Sequence, residues 1–115
     1  KLFHGSEKIF RDFIFIDDVI QANIKACSFS PGGIFNVGTS KPRSFQAIAD
    51  ILQQELGTKM PTDYFINPYD GYQMHTQANI DTSKKQLGFN PKISLEDGIK
   101  SYVTEIKKLY KEAHD

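Results

Sequence analysis

A chain of 115 residues is long enough for one domain, and its 14 basic residues balance 14 acidic ones, so it has no cationic excess to attract nucleic acid or an anionic membrane. Its composition is that of a globular protein, 39% hydrophobic, 24% charged and 12% aromatic, and no apolar run approaches the roughly 20 residues of a membrane-spanning helix. Cys27, the single cysteine, has no partner for an internal disulfide and is expected to be a buried structural thiol in a reducing compartment.

Lys1-Leu2-Phe3 reads as a strand already in progress, with no initiator methionine, which leads us to expect a fragment of a longer protein. Asp12 to Ile16 is a nearly continuous apolar run, the pattern of a strand covered on both faces. Asp17 and Asp18 then offer caps for a helix through roughly Phe29, with Val19, Ile20, Ile24 and Cys27 on its apolar face. Pro31-Gly32-Gly33 stops that helix, and Ile34 to Val37 reads as a second short buried strand. Ser44 is placed to cap a helix carrying Phe45, Ile48, Ala49, Leu52 and Leu56 at helical spacing, with Gly57 as its stop. Asp63 to Ile66 looks extended, and a polar, aromatic loop runs from Asn67 to Gln73. Asp81 is expected to cap a short helix ending near Leu87-Gly88. The last helix begins at Ser94, with Asp97 in a variant of the capping box. Its stripe is Leu95, Ile99, Tyr102, Val103, Ile106 and Tyr110, and a charged tail closes the chain from Lys107 to Asp115. Alternation of strands and helices favours an α/β arrangement, with too few strands for a complete doubly wound sheet.

Several catalytic signatures are absent. Gly32-Gly33 follows a helix and precedes a strand, the wrong order for a phosphate-binding loop. His4, His75 and His114 lack metal-ligand spacing, and there is neither a nucleophile elbow nor a tyrosine followed four residues later by lysine. No catalytic, cofactor-binding or metal-ligating residue is therefore assigned. What remains is a set of binding candidates. Arg11 offers a guanidinium fork suited to the paired oxygens of a diphosphate, or else a surface pair with Asp12 or Glu7. Phe3-His4-Gly5-Ser6 offers an apolar ring, a flexible backbone and a hydroxyl to a sugar or a base, or else is an ordinary turn. Tyr72 could bond a ligand through its phenol. Asp17 and Asp18 could pair as acid and base, although helix capping explains them better.

From Arg11 to Val19 the sequence R-D-F-I-F-I-D-D-V resembles a pattern of the extended short-chain dehydrogenase/reductase family, the nucleotide-sugar epimerases and dehydratases. Ile34-Phe35-Asn36-Val37-Gly38-Thr39 and the stretch from Asp81 to Tyr102 resemble two further motifs of that family, in the same order. Lys1 to Glu7, Ser44 to Ala47, Tyr72-Gln73 and Thr76-Gln77-Ala78 are similar to its heptose-nucleotide branch, with His4 standing where glutamate is usual. The resemblance implies that residues 1–115 form the C-terminal substrate-binding portion of that fold, a small mixed α/β unit with about three main helices and short strands. It implies an N-terminal Rossmann domain, outside this chain, that holds NADP. Phe3, His4, Gly5, Ser6, Arg11 and Tyr72 match substrate-contacting positions. It further implies ADP-heptose as substrate, an epimerisation serving lipopolysaccharide inner-core assembly, a cytoplasmic location, a homo-oligomeric full-length enzyme and no activity in this chain alone.

Overall fold

The computed structural model describes residues 1–114; Asp115, the end of the expected charged tail, and the side chain of His114 lie outside the described residues. Three helices carry most of the regular structure: α1 (Ile16–Cys27), α2 (Phe45–Leu56) and α3 (Leu95–His114). Strands of two residues each form two separate ladders. β1 (Leu2–Phe3) runs parallel to β4 (Tyr64–Phe65), and β2 (Phe10–Arg11) runs antiparallel to β3 (Arg43–Ser44). A 3-10 turn at Ser6–Lys8 links β1 to β2, and a π-helical turn at Ser83–Leu87 precedes α3. This is the small mixed α/β unit with three main helices that the sequence leads one to expect.

The second and third helices follow their local signals closely. Ser44 caps α2 by accepting from the Ala47 N–H at 3.1 Å. At the other end Gly57 takes φ 68°, its N–H donates to the Gln54 carbonyl, and the Thr58 N–H reaches back to the Gln53 carbonyl. Ser94 likewise accepts from the Asp97 N–H at 3.1 Å, while its hydroxyl donates to the Asp97 carboxylate at 2.9 Å. On α3, Ile99 and Val103 are buried and Leu95 is half-buried, whereas Tyr102, Ile106 and Tyr110 of the expected stripe are exposed.

Five local expectations need correction. Asp12 to Ile16 is not a strand: the ladder lies one step earlier, at Phe10–Arg11, and α1 already begins at Ile16. Ile34 to Val37 forms no ladder either, and Ile34 is 98% exposed. A strand needs a neighbouring backbone, and no described segment pairs with either run. Asp17 and Asp18 do not cap α1, whose N-cap is Phe15 with no side-chain bond. The π-helical turn is similarly preceded by Asn79, whose side chain accepts from the Asp81 N–H at 3.0 Å, rather than capped by Asp81 itself. Cys27 is exposed, because the side of α1 facing the described core is the one with Asp18 and Ala22. Ile16, Ile20 and Ile24, at helical spacing on the other side, are all exposed.

Ala22, Ile80 and Phe89 form the central cluster, with Ile14, Val37, Ala78 and Leu87 packed around it. The molecule is a slab of 50 × 43 × 19 Å with a radius of gyration of 17.1 Å. A compact domain of this length has a radius of about 13 Å. Several of the long-range hydrogen bonds end on two carboxylates. Asp12 accepts from the Thr39 N–H at 2.7 Å, the Ser40 N–H at 2.8 Å, the Ala78 N–H at 3.1 Å and the Thr39 hydroxyl. Asp18, 3% exposed, accepts from the Lys92 N–H at 3.1 Å and the Ile93 N–H at 2.9 Å. These clasps tie the segment around α1 to three distant loops. Gly38 makes the first one possible, since a Cβ there would meet the Ala78 Cβ at 2.6 Å and the Asp12 carboxylate at 2.7 Å.

Candidate functional site

Two ladders and one loop bring several of the candidate binding residues together. Pairing of Phe3 with Phe65 in the first ladder sets their rings 4.8 Å apart, edge to face. The loop after β4 returns beside β2, where the Phe10 N–H donates to the Met74 carbonyl at 2.8 Å and the Thr76 N–H to the Phe10 carbonyl at 3.1 Å. That return brings Tyr72 to Phe3, with ring centroids 5.4 Å apart, and to Arg11, whose guanidinium carbon lies 5.2 Å from the tyrosine centroid.

Arg11 is held between two rings, with the Phe45 centroid 5.4 Å away on α2. Its Nη1 donates to the Phe10 carbonyl at 2.8 Å. Among the described residues it forms no ion pair, so the surface pair with Asp12 or Glu7 does not occur. The Asp12 carboxylate is instead engaged by the loops around Thr39 and Ala78. Burial raises the Asp12 pKa, but the hydrogen bonds from Thr39, Ala78 and Ser40 outweigh it and hold the carboxyl below its ordinary value. Arg11 is thus a half-buried cation flanked by aromatic faces, with no carboxylate partner among the described residues.

The other candidates fall into place around it in different ways. His4 is exposed and its ring stacks on Tyr64 with centroids 5.9 Å apart, while its backbone N–H donates to the Phe65 carbonyl at 2.9 Å. Gly5 takes φ 78° at the turn, and its carbonyl accepts from the Lys8 N–H. Ser6 is 0% exposed and its hydroxyl donates to Gln46 Oε1 at 3.0 Å, which also accepts from the Tyr64 hydroxyl at 2.7 Å. Ser6 thus fastens the turn to α2. Asp17 and Asp18 form no acid–base pair, since Asp17 is exposed and Asp18 is committed to the backbone of Lys92 and Ile93.

Reading the sequence for chemistry missed Phe45, Phe65 and Tyr69. Tyr69 stacks on Tyr72 at 6.4 Å and meets Phe3 edge-on at 6.4 Å. The density of aromatic residues between Tyr64 and Tyr72 was the available signal, but only pairing of β1 with β4 shows that these rings share a wall.

No family model matches this sequence. Solved structures do. The chain is similar to an ADP-L-glycero-D-manno-heptose-6-epimerase from Helicobacter pylori, with 42% identity and a TM-score of 0.83 over 92% of this chain and 32% of that one. It is also similar to a UDP-glucose 4-epimerase from Thermotoga maritima, solved with UDP-glucose, at 28% identity and TM-score 0.84 over 95% of this chain and 35% of that one. A UDP-glucuronic acid 4-epimerase from Bacillus cereus, solved with UDP-glucuronic acid and NAD, gives 27% identity and TM-score 0.82 over 95% and 35%. The chain thus spans about a third of the length of the solved proteins it matches.

Proposed function

We propose that this chain, which matches the C-terminal part of extended short-chain dehydrogenase/reductase epimerases in fold and sequence, is the sugar-nucleotide-gripping part of an ADP-heptose 6-epimerase. The observation that carries the proposal is Arg11, a cation without a carboxylate partner among the described residues, set between Phe45 and Tyr72 at the end where Phe3, His4 and Gly5 gather. In this reading Arg11 takes the diphosphate and Phe3 and Tyr72 wall the ligand. The turn from His4 to Ser6 presents its backbone, with Ser6 holding it in place. The preference for a heptose over a hexose rests on 42% identity with the heptose epimerase against 28% and 27% with the two hexose-type epimerases.

The family works with a nicotinamide cofactor, and the described residues do not suit one. The junction between β3 and α2 runs from Ser44 straight into Phe45 with no glycine, and the glycines with positive φ lie at turns and helix ends. No hydride step is therefore assigned to this chain. NADP belongs in this reading to another part of a longer enzyme, and the exposed Ile16, Ile20 and Ile24 are suited to packing against such a part. The residues here bind and orient the substrate, and such positioning can lower a barrier by on the order of 7–11 kcal/mol in favourable cases. The full-length enzyme is expected to be cytoplasmic and homo-oligomeric and to serve lipopolysaccharide core synthesis.

The close structural match to the UDP-glucose 4-epimerase favours a second reading, a hexose-nucleotide epimerase. Turnover of the full-length enzyme on ADP-heptose, UDP-glucose and UDP-glucuronic acid separates the two. Activity on a UDP-hexose alone would reject the heptose assignment. Within either reading, Arg11→Ala is expected to weaken sugar-nucleotide binding by about 2–3 kcal/mol, because it removes a charge-assisted contact. Unchanged calorimetric affinity would remove Arg11 from the site.

A further inference from the structure

A second concentration of positive charge adjoins the ladder that pairs Arg43 with Arg11. A cavity of about 390 Å3 is lined by Lys41, Arg43, Lys84 and Lys92, with Glu96 as its one carboxylate and Asn90 as an amide donor. Glu96 is already bound to Arg43 at 2.7 Å. Lys41, Lys84 and Lys92 form no ion pair among the described residues. A chain of zero formal charge thus places four cations and one anion around a single hollow. None of Phe3, Arg11 and Tyr72 lines it.

Each cation stands on anchored backbone, two of them on the clasps. The Lys92 N–H is bound by the buried Asp18 carboxylate. The Lys41 N–H donates to the Thr39 hydroxyl, which in turn is held by Asp12. The Lys84 N–H donates to the Ile80 carbonyl at 2.9 Å, and Ile80 belongs to the core. Arg43 is fixed by Glu96 and by the ladder that pairs it with Arg11. Mutually repelling charges on anchored backbone gain more from one multivalent anion than from scattered counterions, since little rearrangement is needed to bind it.

We propose that this hollow is an anion site for a linear di- or triphosphate, adjoining the strand that carries Arg11 but lined by other side chains, with Lys41, Arg43, Lys84 and Lys92 as its donors. The size of the cavity and the spread of cations around its wall suit a chain of phosphates better than a single one. Inorganic tripolyphosphate titrated into the intact protein tests this, by calorimetry and by the amide 1H–15N spectrum. Saturable binding is expected, with shifts at Lys41, Lys84 and Lys92. The paired substitution Lys84→Gln with Lys92→Gln should weaken it roughly tenfold, as the loss of two partly screened contacts implies, and should weaken it more than Arg11→Ala, which removes no lining residue. Both lysines are exposed, so their replacement does not threaten the fold. Equal affinity in the paired variant would overturn the proposal, as would sulfate binding as tightly as tripolyphosphate. Binding abolished by Arg11→Ala, with shifts at Phe3 and Tyr72, would reject this site while supporting the substrate site.

Discussion

The aromatic end and the clasped centre of this molecule are held by different forces. At the aromatic end Phe3, Phe65, Tyr69 and Tyr72 meet edge to face or stacked, and the strands beneath them are two residues long. At the centre two carboxylates, Asp12 and Asp18, take N–H groups from loops distant in sequence, around a small apolar cluster. Rings with open faces can receive a ligand. Carboxylates whose oxygens are already occupied hold the scaffold instead. Substitutions at the two regions should therefore separate, with loss of affinity at one and loss of stability at the other.

The largest effect is expected at Asp18. Asp18→Ala leaves the Lys92 and Ile93 N–H groups without their acceptor and should destabilise the fold by about 3 kcal/mol, measured by urea unfolding. A loss below about 0.5 kcal/mol would mean that water replaces the clasp. By contrast, Arg11→Ala should keep the unfolding midpoint while losing the affinity given above; a comparable fall in both would erase the contrast between the regions. Gly38→Ala forces a methyl group against Ala78 and Asp12 and should cost about 1–3 kcal/mol. A thermal melt of the variant that overlays the parent would show that the loop simply moves aside.

Asp12 makes the comparison depend on pH. Its folded pKa lies below the ordinary value of 3.8 for the unfolded chain, so its contribution is fully present above that value and is lost as pH falls through the lower folded value. Acid unfolding curves should show this loss below about pH 4, and Asp12→Asn should remove that part of the pH dependence. Parallel curves for parent and variant would assign the acid sensitivity to other groups. The smallest effect is at the cap of α2, where Ser44→Ala should cost about 1 kcal/mol without changing ligand affinity.

Legibility in the sequence followed the range of the forces. The caps at Ser44 and Ser94 and the stop at Gly57 act within a few residues, and each stands where local chemistry places it. The runs Asp12 to Ile16 and Ile34 to Val37 have the composition of strands, but no backbone among the described residues pairs with them. Hydrophobic spacing on α1 pointed Ile20, Ile24 and Cys27 inward, yet the side with Asp18 and Ala22 faces the described core. Candidate site residues were named largely through resemblance. Which of them meet, and that Ser6 turns its hydroxyl to Gln46, depended on pairings across more than 30 positions.

The order of these residues alone determined where α2 and α3 begin and what chemistry each could carry, because caps, turns and helical spacing are properties of neighbouring residues. Only the tertiary structure decided that Arg11 lies between Phe45 and Tyr72, that Asp12 and Asp18 serve as clasps, and that four cations share one hollow. Those arrangements depend on which distant backbones come within hydrogen-bonding reach of one another, and no local spacing encodes that.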